Sequence, residues 1–199
     1  ASADTNRRVL LCYPGEALVI TYRHATGSDA QAIADVYVGT WRSTYAGTLP
    51  DRVLIGMKPK KLTTSFARAL KHHTEIIMVA DDPEHGVLAM GSAGGNRDQH
   101  SDFKGEVYTL YVHPDFQNMG VGERLMAHLF LELSKSGTNS ALIWVLALNP
   151  SRFFYERMGG ERVGDREERL WGTTLQELGY GWLDLKNSIH NERPRLTAR

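Results

Sequence analysis

The sequence lacks a second cysteine: Cys12 is the only one, so no disulfide can form within the chain. A lone cysteine also excludes zinc sites that need several thiolates. The eight histidines show no metal-binding spacing, such as an i, i+4 pair with a third ligand, so we expect no metal site. Because free thiols persist in reducing compartments, the cysteine count favours a cytoplasmic protein.

Long apolar runs are also missing. The N-terminal apolar run spans only Val9 to Cys12, which is much shorter than the hydrophobic region of a signal peptide. No later stretch is both uncharged and long enough to cross a bilayer. The sequence therefore predicts neither export nor insertion into a membrane.

An excess of charge of one sign is the third absence. Lys and Arg together number 23, as do Asp and Glu, so the whole chain offers no electrostatic attraction for nucleic acid or an anionic membrane. Hydrophobic residues make up 42% and charged residues 23% of the 199 residues, which is typical of one globular domain with a full core. Binding partners must therefore be inferred from local sites.

One folded domain is predicted between two polar ends. Residues 1–17 predict a loosely held lead-in, and residues 186–199 predict a polar, flexible tail. No internal repeat or low-complexity block occurs between them, so we assign residues 18–185 to a single domain.

Hydrophobic periodicity predicts the order of elements in that domain. The first half contains a strand in "ALVITYRHAT", a helix capped by Ser28, a helix from about Asp51 to Leu70, and strands in "EIIMVAD" and "GVLAMGSAGG". The second half contains a strand in "GEVYTLYVH", a long helix ending at Gly137, a strand in "ALIWVLAL", a helix in "SRFFYERMGG", and strands near Arg162 and from Tyr180 to Leu185. This order predicts an α/β or α+β fold whose sheet is mixed in direction.

A glycine-containing turn, "QNMGVG" at residues 117–122, joins a strand to the long helix. The lysine of a P-loop is absent after Gly122, and Leu125 replaces the third glycine of a dinucleotide fingerprint. The first amides of a helix lack intrahelical acceptors and lie at the positive end of its dipole, so this turn can bind a pyrophosphate. Glycines at 120 and 122 leave room for close approach, although a tight connection without a ligand has the same pattern.

The residues around the turn carry a family resemblance. The string Gln-x-x-Gly-x-Gly after "YVHPDF", followed by a strand and by "NPSRFFYERMGG", resembles the GNAT superfamily of N-acetyltransferases. The segment "TWRSTYAGTLP" resembles the first-helix region of a large bacterial branch of that superfamily. The resemblance implies a mixed, mostly antiparallel central sheet of about seven strands flanked by about four helices.

The resemblance also implies acetyl-CoA as the cofactor, because the pyrophosphate of coenzyme A is bound but never transferred and main-chain amides suffice for it. Main-chain groups of Leu110, Tyr111 and Val112 would polarise the thioester carbonyl and pair with the pantetheine arm. The remaining implied cofactor contacts are Gln117, Asn118, Met119, Gly120, Val121, Gly122, Asn149 and Ser151.

Two side chains are implied as catalytic by the same resemblance. Glu106 occupies the strand position at which many relatives remove the proton of the amine, directly or through water, and Tyr155 matches the tyrosine that protonates the departing thiolate. A strand-end glutamate that faces solvent and a tyrosine that packs in the core are the alternatives. Tyr108 and His113 are weaker candidates for the base, and His113 beside Pro114 is better suited to ordering the turn.

The resemblance implies a small-molecule amine or a peptide amine as the acceptor, and the sequence does not identify which amine it is. Trp41, Arg42 and Tyr45 are candidates for the acceptor pocket, with an aromatic cluster that closes a helix as the alternative. The predicted function is transfer of an acetyl group to a primary amine by direct attack in a ternary complex. A CoA-binding sensor or interaction module without turnover is the competing hypothesis. A homodimer through the C-terminal strands is compatible with the resemblance.

Overall fold

A computed structural model describes residues 8–13, 16–170 and 172–190 of the chain. Within these residues eight strands form one sheet: β1 (Arg8–Tyr13), β2 (Glu16–His24), β3 (Ile76–Asp82), β4 (Gly86–Gly95), β5 (Gly105–Val112), β6 (Ala141–Leu146), β7 (Glu161–Leu170) and β8 (Thr173–Trp182). Six α-helices accompany them: α1 (Ala30–Tyr45), α2 (Asp51–Gly56), α3 (Pro59–His72), α4 (Val121–Lys135), α5 (Arg152–Arg157) and α6 (Leu185–His190).

The strand order across the sheet is β1-β2-β3-β4-β5-β6-β8-β7. Only β5 and β6 are parallel, and every other neighbouring pair is antiparallel. The predicted mixed, mostly antiparallel sheet flanked by helices is therefore confirmed, with eight strands in place of about seven. Among the described residues, no helix has both the length and the apolar character needed to span a bilayer.

The ends of the chain differ from the sequence-based prediction. Strand β1 falls within residues 1–17, which we predicted to be a loose lead-in, and it pairs antiparallel with β2. Its last five residues are all apolar, so the alternation of a half-buried strand is absent, and pairing with β2 holds them in the sheet. Residues 1–7, 14–15 and 191–199 of the predicted lead-in and tail lie outside the described residues.

The last predicted strand is also displaced. Strand β8 begins at Thr173 and ends at Trp182, whereas Leu185 is buried and begins helix α6, which includes the first residues of the predicted tail. The predicted helix from Asp51 to Leu70 is two helices, because Pro59 has no amide hydrogen to donate and starts α3 afresh. The limits of the domain itself stay a prediction.

Helices cover both faces of the sheet. Met78 and Ala80 of β3 belong to the core under α4, while Ile77 and Val79 pack with residues of α1 and α3 on the opposite face. Burial on both faces explains why this strand is apolar at consecutive positions.

Strands β5 and β6 pair over only three residues each, from Gly105 opposite Ala141 to Val107 opposite Ile143. Beyond this point β5 stays paired with β4, and β6 stays paired with β8. The two halves of the sheet therefore separate and leave an opening in the middle of it.

Candidate active site

The opening between β5 and β6 is part of a cavity of about 1010 Å³. Ligand sites in proteins commonly measure roughly 300–1,000 Å³, so this cavity has room for a large ligand. Its walls come from α1, β5, the glycine turn, β6, α5 and the β7–β8 hairpin. One part of the wall, the turn side, is formed by Gln117, Asn118, Gly120 and Gly122. Another part, the hairpin wall, is formed by Trp144, Arg166, Glu168 and Glu177.

The two glycines of the turn side serve different purposes. Gly120 is the N-cap of α4 and has a φ of 82°, a left-handed conformation that favours glycine, although a Cβ there would meet open space. Gly122 has ordinary backbone geometry, but a Cβ there would lie 3.3 Å from Cγ2 of Val112. No side chain caps α4, so the space in front of its N-terminus is open to a ligand.

Two members of the predicted turn do not line the cavity. The side chain of Val121 is buried in the core, and Met119 packs against that core. Any contact that these two residues make with a ligand must therefore use their main-chain groups. The side chains of Gln117 and Asn118 do line the cavity.

The end of β5 is fixed by two side chains. The carbonyl oxygen of Val112 accepts a hydrogen bond from Oγ1 of Thr40 at 3.1 Å and another from Nε2 of Gln117 at 3.0 Å. The glutamine of the motif therefore ties the turn to the strand before it. Leu110, Tyr111 and Val112 all line the cavity, beyond the point where β5 stops pairing with β6.

Tyr155 lies on α5, is only 5% exposed and lines the cavity. Its ring packs between Phe154 and Tyr180, at centroid distances of 5.1 Å and 5.9 Å. Burial, and then the neighbouring Tyr45, raise the pKa of the Tyr155 hydroxyl above its usual value, so it stays protonated at neutral pH. The hydroxyl makes no hydrogen bond to another described residue, which leaves its proton available to a ligand.

Asn149 and Ser151 line the cavity just before α5. Oδ1 of Asn149 accepts a hydrogen bond from the amide of Ser151 at 2.8 Å, which shapes the turn into the helix. Burial is the main cause of the raised pKa of Tyr45, which comes from α1, and the Asn149 side chain acts against it.

Glu106, predicted to be the base, does not line the cavity. It is 1% exposed, and its carboxylate accepts hydrogen bonds from the main-chain amide of Arg97 at 3.1 Å, from Nε of Arg97 at 3.0 Å, and from Nη2. At this position β5 is still paired with β6, opposite Leu142, so the sheet has not yet opened. The Arg97 guanidinium, stacked over Tyr108 at 4.6 Å, lines the cavity in its place.

The weaker candidates for the base have structural partners. The Tyr108 hydroxyl donates to the carbonyl oxygen of Gly95 at 2.6 Å, although its ring lines the cavity. Nδ1 of His113 accepts from the amide of Asp115 at 3.4 Å, so this histidine orders the turn as predicted.

Two of the three predicted acceptor residues, Trp41 and Tyr45, line the cavity, but Arg42 does not. Arg42 instead donates to the carbonyl oxygens of Leu54 at 3.5 Å and Met57 at 3.3 Å, and so joins α1 to the segment around α2. Successive helical residues point about 100° apart, so a helix that turns Trp41 and Tyr45 toward the cavity turns Arg42 away from it.

The hairpin wall was missed by the sequence analysis. Arg166 of β7 and Glu177 of β8 are cross-strand partners, and Nε of Arg166 donates to Oε2 of Glu177 at 2.7 Å. The Arg166 guanidinium also stacks over Trp144 at 4.4 Å. Glu177 is 8% exposed and is the most buried carboxylate of the cavity wall.

Little in the sequence reveals this wall. Strand β7, "ERVGDREERL", is charged at most positions, as an exposed edge strand often is. The structure shows that its even-numbered residues from Gly164 to Leu170 are half-buried, while the odd-numbered residues between them are exposed. Arg166 and Glu168 differ from their exposed neighbours only because successive side chains of a strand point to opposite faces of the sheet.

Comparisons with known proteins identify the family. The model of the acetyltransferase (GNAT) family matches residues 35–160. The uncharacterized N-acetyltransferase YuaI of Bacillus subtilis is 33% identical over 168 residues, which cover 84% of this chain and 95% of YuaI.

Solved structures share the fold. A GCN5-related N-acetyltransferase from Rhodopseudomonas palustris superposes with a TM-score of 0.64 at 18% identity, covering 80% of this chain and 92% of that one. The PaiA N-acetyltransferase of Thermoplasma acidophilum, crystallised in complex with coenzyme A, has a TM-score of 0.59 at 16% identity, covering 83% of this chain and 100% of that one. The chain therefore belongs to the GNAT family of acetyltransferases.

Proposed function

We propose that this protein transfers an acetyl group from acetyl-CoA to a primary amine by direct attack in a ternary complex. The observation that carries the proposal is the single cavity that joins the open N-terminus of α4, the protonated Tyr155 and the buried carboxylate of Glu177. It brings a place for an anion, a proton donor and a proton acceptor to one ligand space.

The residues of the turn side fit coenzyme A. The left-handed Gly120 and the missing Cβ of Gly122 leave main-chain amides accessible to a pyrophosphate, and the unpaired part of β5 offers main-chain groups to the pantetheine arm. The PaiA structure contains coenzyme A on the same fold. Bound acetyl-CoA would supply an activated acetyl group as a thioester.

The acceptor must lose a proton before it can attack, because an alkylamine has a pKa of about 10.4 and is charged at neutral pH. We assign Glu177 as the base that accepts this proton, because it lines the cavity. Glu106 is not assigned this role, because Arg97 encloses its carboxylate. Glu106 then acts as a positioning residue for the Arg97 guanidinium. Tyr155 holds the proton that the leaving thiolate requires.

Electrostatic coupling through Tyr45 supports the assignment of Tyr155 and Glu177 to one site. Burial is the main cause of the raised pKa of Tyr45, and the Glu177 carboxylate adds to it. Burial and then Tyr45 raise the pKa of Tyr155. Tyr45 is therefore within electrostatic reach of both Glu177 and Tyr155.

The test combines a binding and a turnover measurement on the full chain. Titration calorimetry with acetyl-CoA reports binding, and thiol release with a mixed panel of amines, followed by mass spectrometry of the products, reports transfer. We expect binding together with release that depends on the amine. Binding without any amine-dependent release would favour the non-catalytic CoA sensor, and absence of binding would reject both functions.

A further inference from the structure

The hairpin wall carries both signs of charge, which bears on the kind of amine that the cavity accepts. We propose that Arg166 and Glu177 form a subsite for acceptors that carry a carboxylate beside the amine, as free amino acids do. This inference rests on the proposed function and narrows its acceptor.

The Arg166–Glu177 pair has unused hydrogen-bonding capacity that faces the cavity. Only Nε of Arg166 is engaged, by Oε2 of Glu177, and neither terminal nitrogen of Arg166 bonds another described residue. Oε1 of Glu177 likewise has no hydrogen bond to another described residue. The pair thus offers guanidinium donors for a carboxylate beside a carboxylate acceptor for an ammonium group, and an amino acid carries both of these groups on one carbon.

The pair is also held in a fixed position. The Arg166 guanidinium lies over Trp144 at 4.4 Å, and the cross-strand register holds Arg166 opposite Glu177. The Arg166 side chain is 35% exposed and that of Glu177 is 11% exposed, so both charges are partly removed from water. A charged ligand group that binds to such a pair gains more binding free energy than it would at an exposed surface.

The other charges of this region favour a zwitterion over a polyamine. Arg97 and Arg166 are matched in the cavity wall by Glu168 and Glu177. Glu106 is the main cause of the raised pKa of Arg97, while desolvation lowers this pKa and Glu177 adds to the rise. Arg97 is therefore within electrostatic reach of Glu177. A second ammonium group would meet two guanidinium groups, whereas a carboxylate would pair with them.

The test uses matched acceptors that differ in one group. Phenylalanine, phenylalaninamide and phenethylamine form one set, and leucine, leucinamide and isoamylamine form another. Aromatic and aliphatic side chains suit a cavity whose walls include Trp144 and Leu170. The values of kcat/KM are calculated from the concentration of neutral amine, so that different degrees of protonation of the acceptors do not affect the comparison.

We expect the wild-type protein to prefer each amino acid over its amide and its amine by about ten- to hundredfold, which corresponds to a charged hydrogen-bonded contact. In Arg166→Gln the ratio of kcat/KM for each amino acid to kcat/KM for its amide should fall to about one, through a higher KM for the amino acid. Arg166→Lys should restore part of the preference. Arg169→Gln is the matched control, because Arg169 lies on the same strand with its side chain exposed.

Equal use of all three members of each set by the wild-type protein would overturn the inference, and so would a preference that survives in folded Arg166→Gln. Melting temperature and acetyl-CoA affinity, measured on every variant, show whether the fold and the cofactor site persist. If acetyl-CoA binds and no amine of any kind is acetylated, the proposed function fails along with its acceptor. If plain amines are acetylated with the same kcat/KM as amino acids, the proposed function stands and only the acceptor class is wrong.

Discussion

The turn side and the hairpin wall line the same cavity but are built in different ways. The turn side depends on backbone conformation and on a missing side chain, as in the left-handed Gly120 and the Cβ-free Gly122. The hairpin wall depends on charged side chains such as Arg166 and Glu177, which lie on different strands. A site made of main chain requires a fixed local string of residues, whereas a site made of side chains requires only that the fold bring them together.

The two sides would also serve different parts of the proposed reaction. Main-chain amides at a helix N-terminus bind the same pyrophosphate whichever amine is used. In the proposed function the hairpin wall would contact the acceptor, so its charges would select which amine binds. Variants on the two sides should therefore affect different kinetic quantities, and the predictions below test that separation.

The largest effect is expected for Tyr155→Phe. The change removes one hydroxyl and keeps the ring, so the single-turnover rate should fall by about 10²–10⁴-fold while acetyl-CoA affinity is retained. Rapid-quench measurements at saturating substrates report the rate. Tyr180→Phe is the matched control, because Tyr180 stacks on Tyr155 but donates its hydroxyl to Glu156 at 3.0 Å and is not part of the cavity wall.

The raised pKa of Tyr155 gives this prediction a pH signature. The hydroxyl can act as the acid only while it is protonated, and burial raises its pKa above the usual value of about 10. The chemical rate should thus show no loss from this group up to about pH 10. A falling limb that begins near neutral pH and disappears in Tyr155→Phe would contradict the assignment.

A smaller effect is expected for Glu177→Gln, with a fall of about 10²-fold at neutral pH. The loss should shrink as pH rises, because alkali deprotonates the amine without a base. Glu106→Gln should instead lower stability by about 1–3 kcal/mol, since it weakens a buried partner of Arg97, and leave the shape of the pH profile unchanged. If the two variants exchange these behaviours, Glu106 is the base after all.

On the turn side, Gly122→Val should weaken acetyl-CoA binding by roughly ten- to hundredfold, the loss of about one or two charged hydrogen bonds. Gly120→Ala should act mainly on the fold, at a cost of about 1–2 kcal/mol for a left-handed residue with a side chain. Calorimetry and thermal melts separate the two effects. Unchanged affinity in folded Gly122→Val would remove the turn from the cofactor site.

The smallest effect on catalysis is expected for Arg42→Ala. Its side chain contacts the carbonyl oxygens of Leu54 and Met57 outside the cavity, so acceptor kinetics should not change. Stability should fall by about 0.5–1.5 kcal/mol, the usual value of one hydrogen bond. A raised KM for the acceptor would return Arg42 to the pocket.

The elements that sequence reasoning predicted well have strong local signals. The long apolar period of α4 and its glycine-containing start identified the helix, the turn and the family without any tertiary information. Strand β1 was missed because six residues at a sheet edge are held by β2 and not by their own pattern. The split between α2 and α3 was missed although Pro59 marked it.

The fold decides which of the predicted site residues line the cavity, because it sets the direction of each side chain. Glu106 and Tyr155 were assigned by the same resemblance, yet only Tyr155 lines the cavity, because Glu106 lies where β5 and β6 are still paired. Glu177 could not be selected from the sequence, since its position depends on the register between β6, β7 and β8. Register is a tertiary property that no local pattern of charges encodes.

The short pairing of β5 and β6 should make the stability of the protein depend on its ligand. Three residues of pairing leave the centre of the sheet with fewer cross-strand hydrogen bonds than its flanks. A ligand that occupies the opening and hydrogen-bonds to the unpaired main chain of β5 would connect the two halves of the sheet. At about 100 times its Kd, such a ligand adds about 2.7 kcal/mol to the free energy of unfolding. Amide hydrogens near Leu110 and Val145 would then exchange with solvent more slowly, so the cofactor would act as a structural brace during each catalytic cycle.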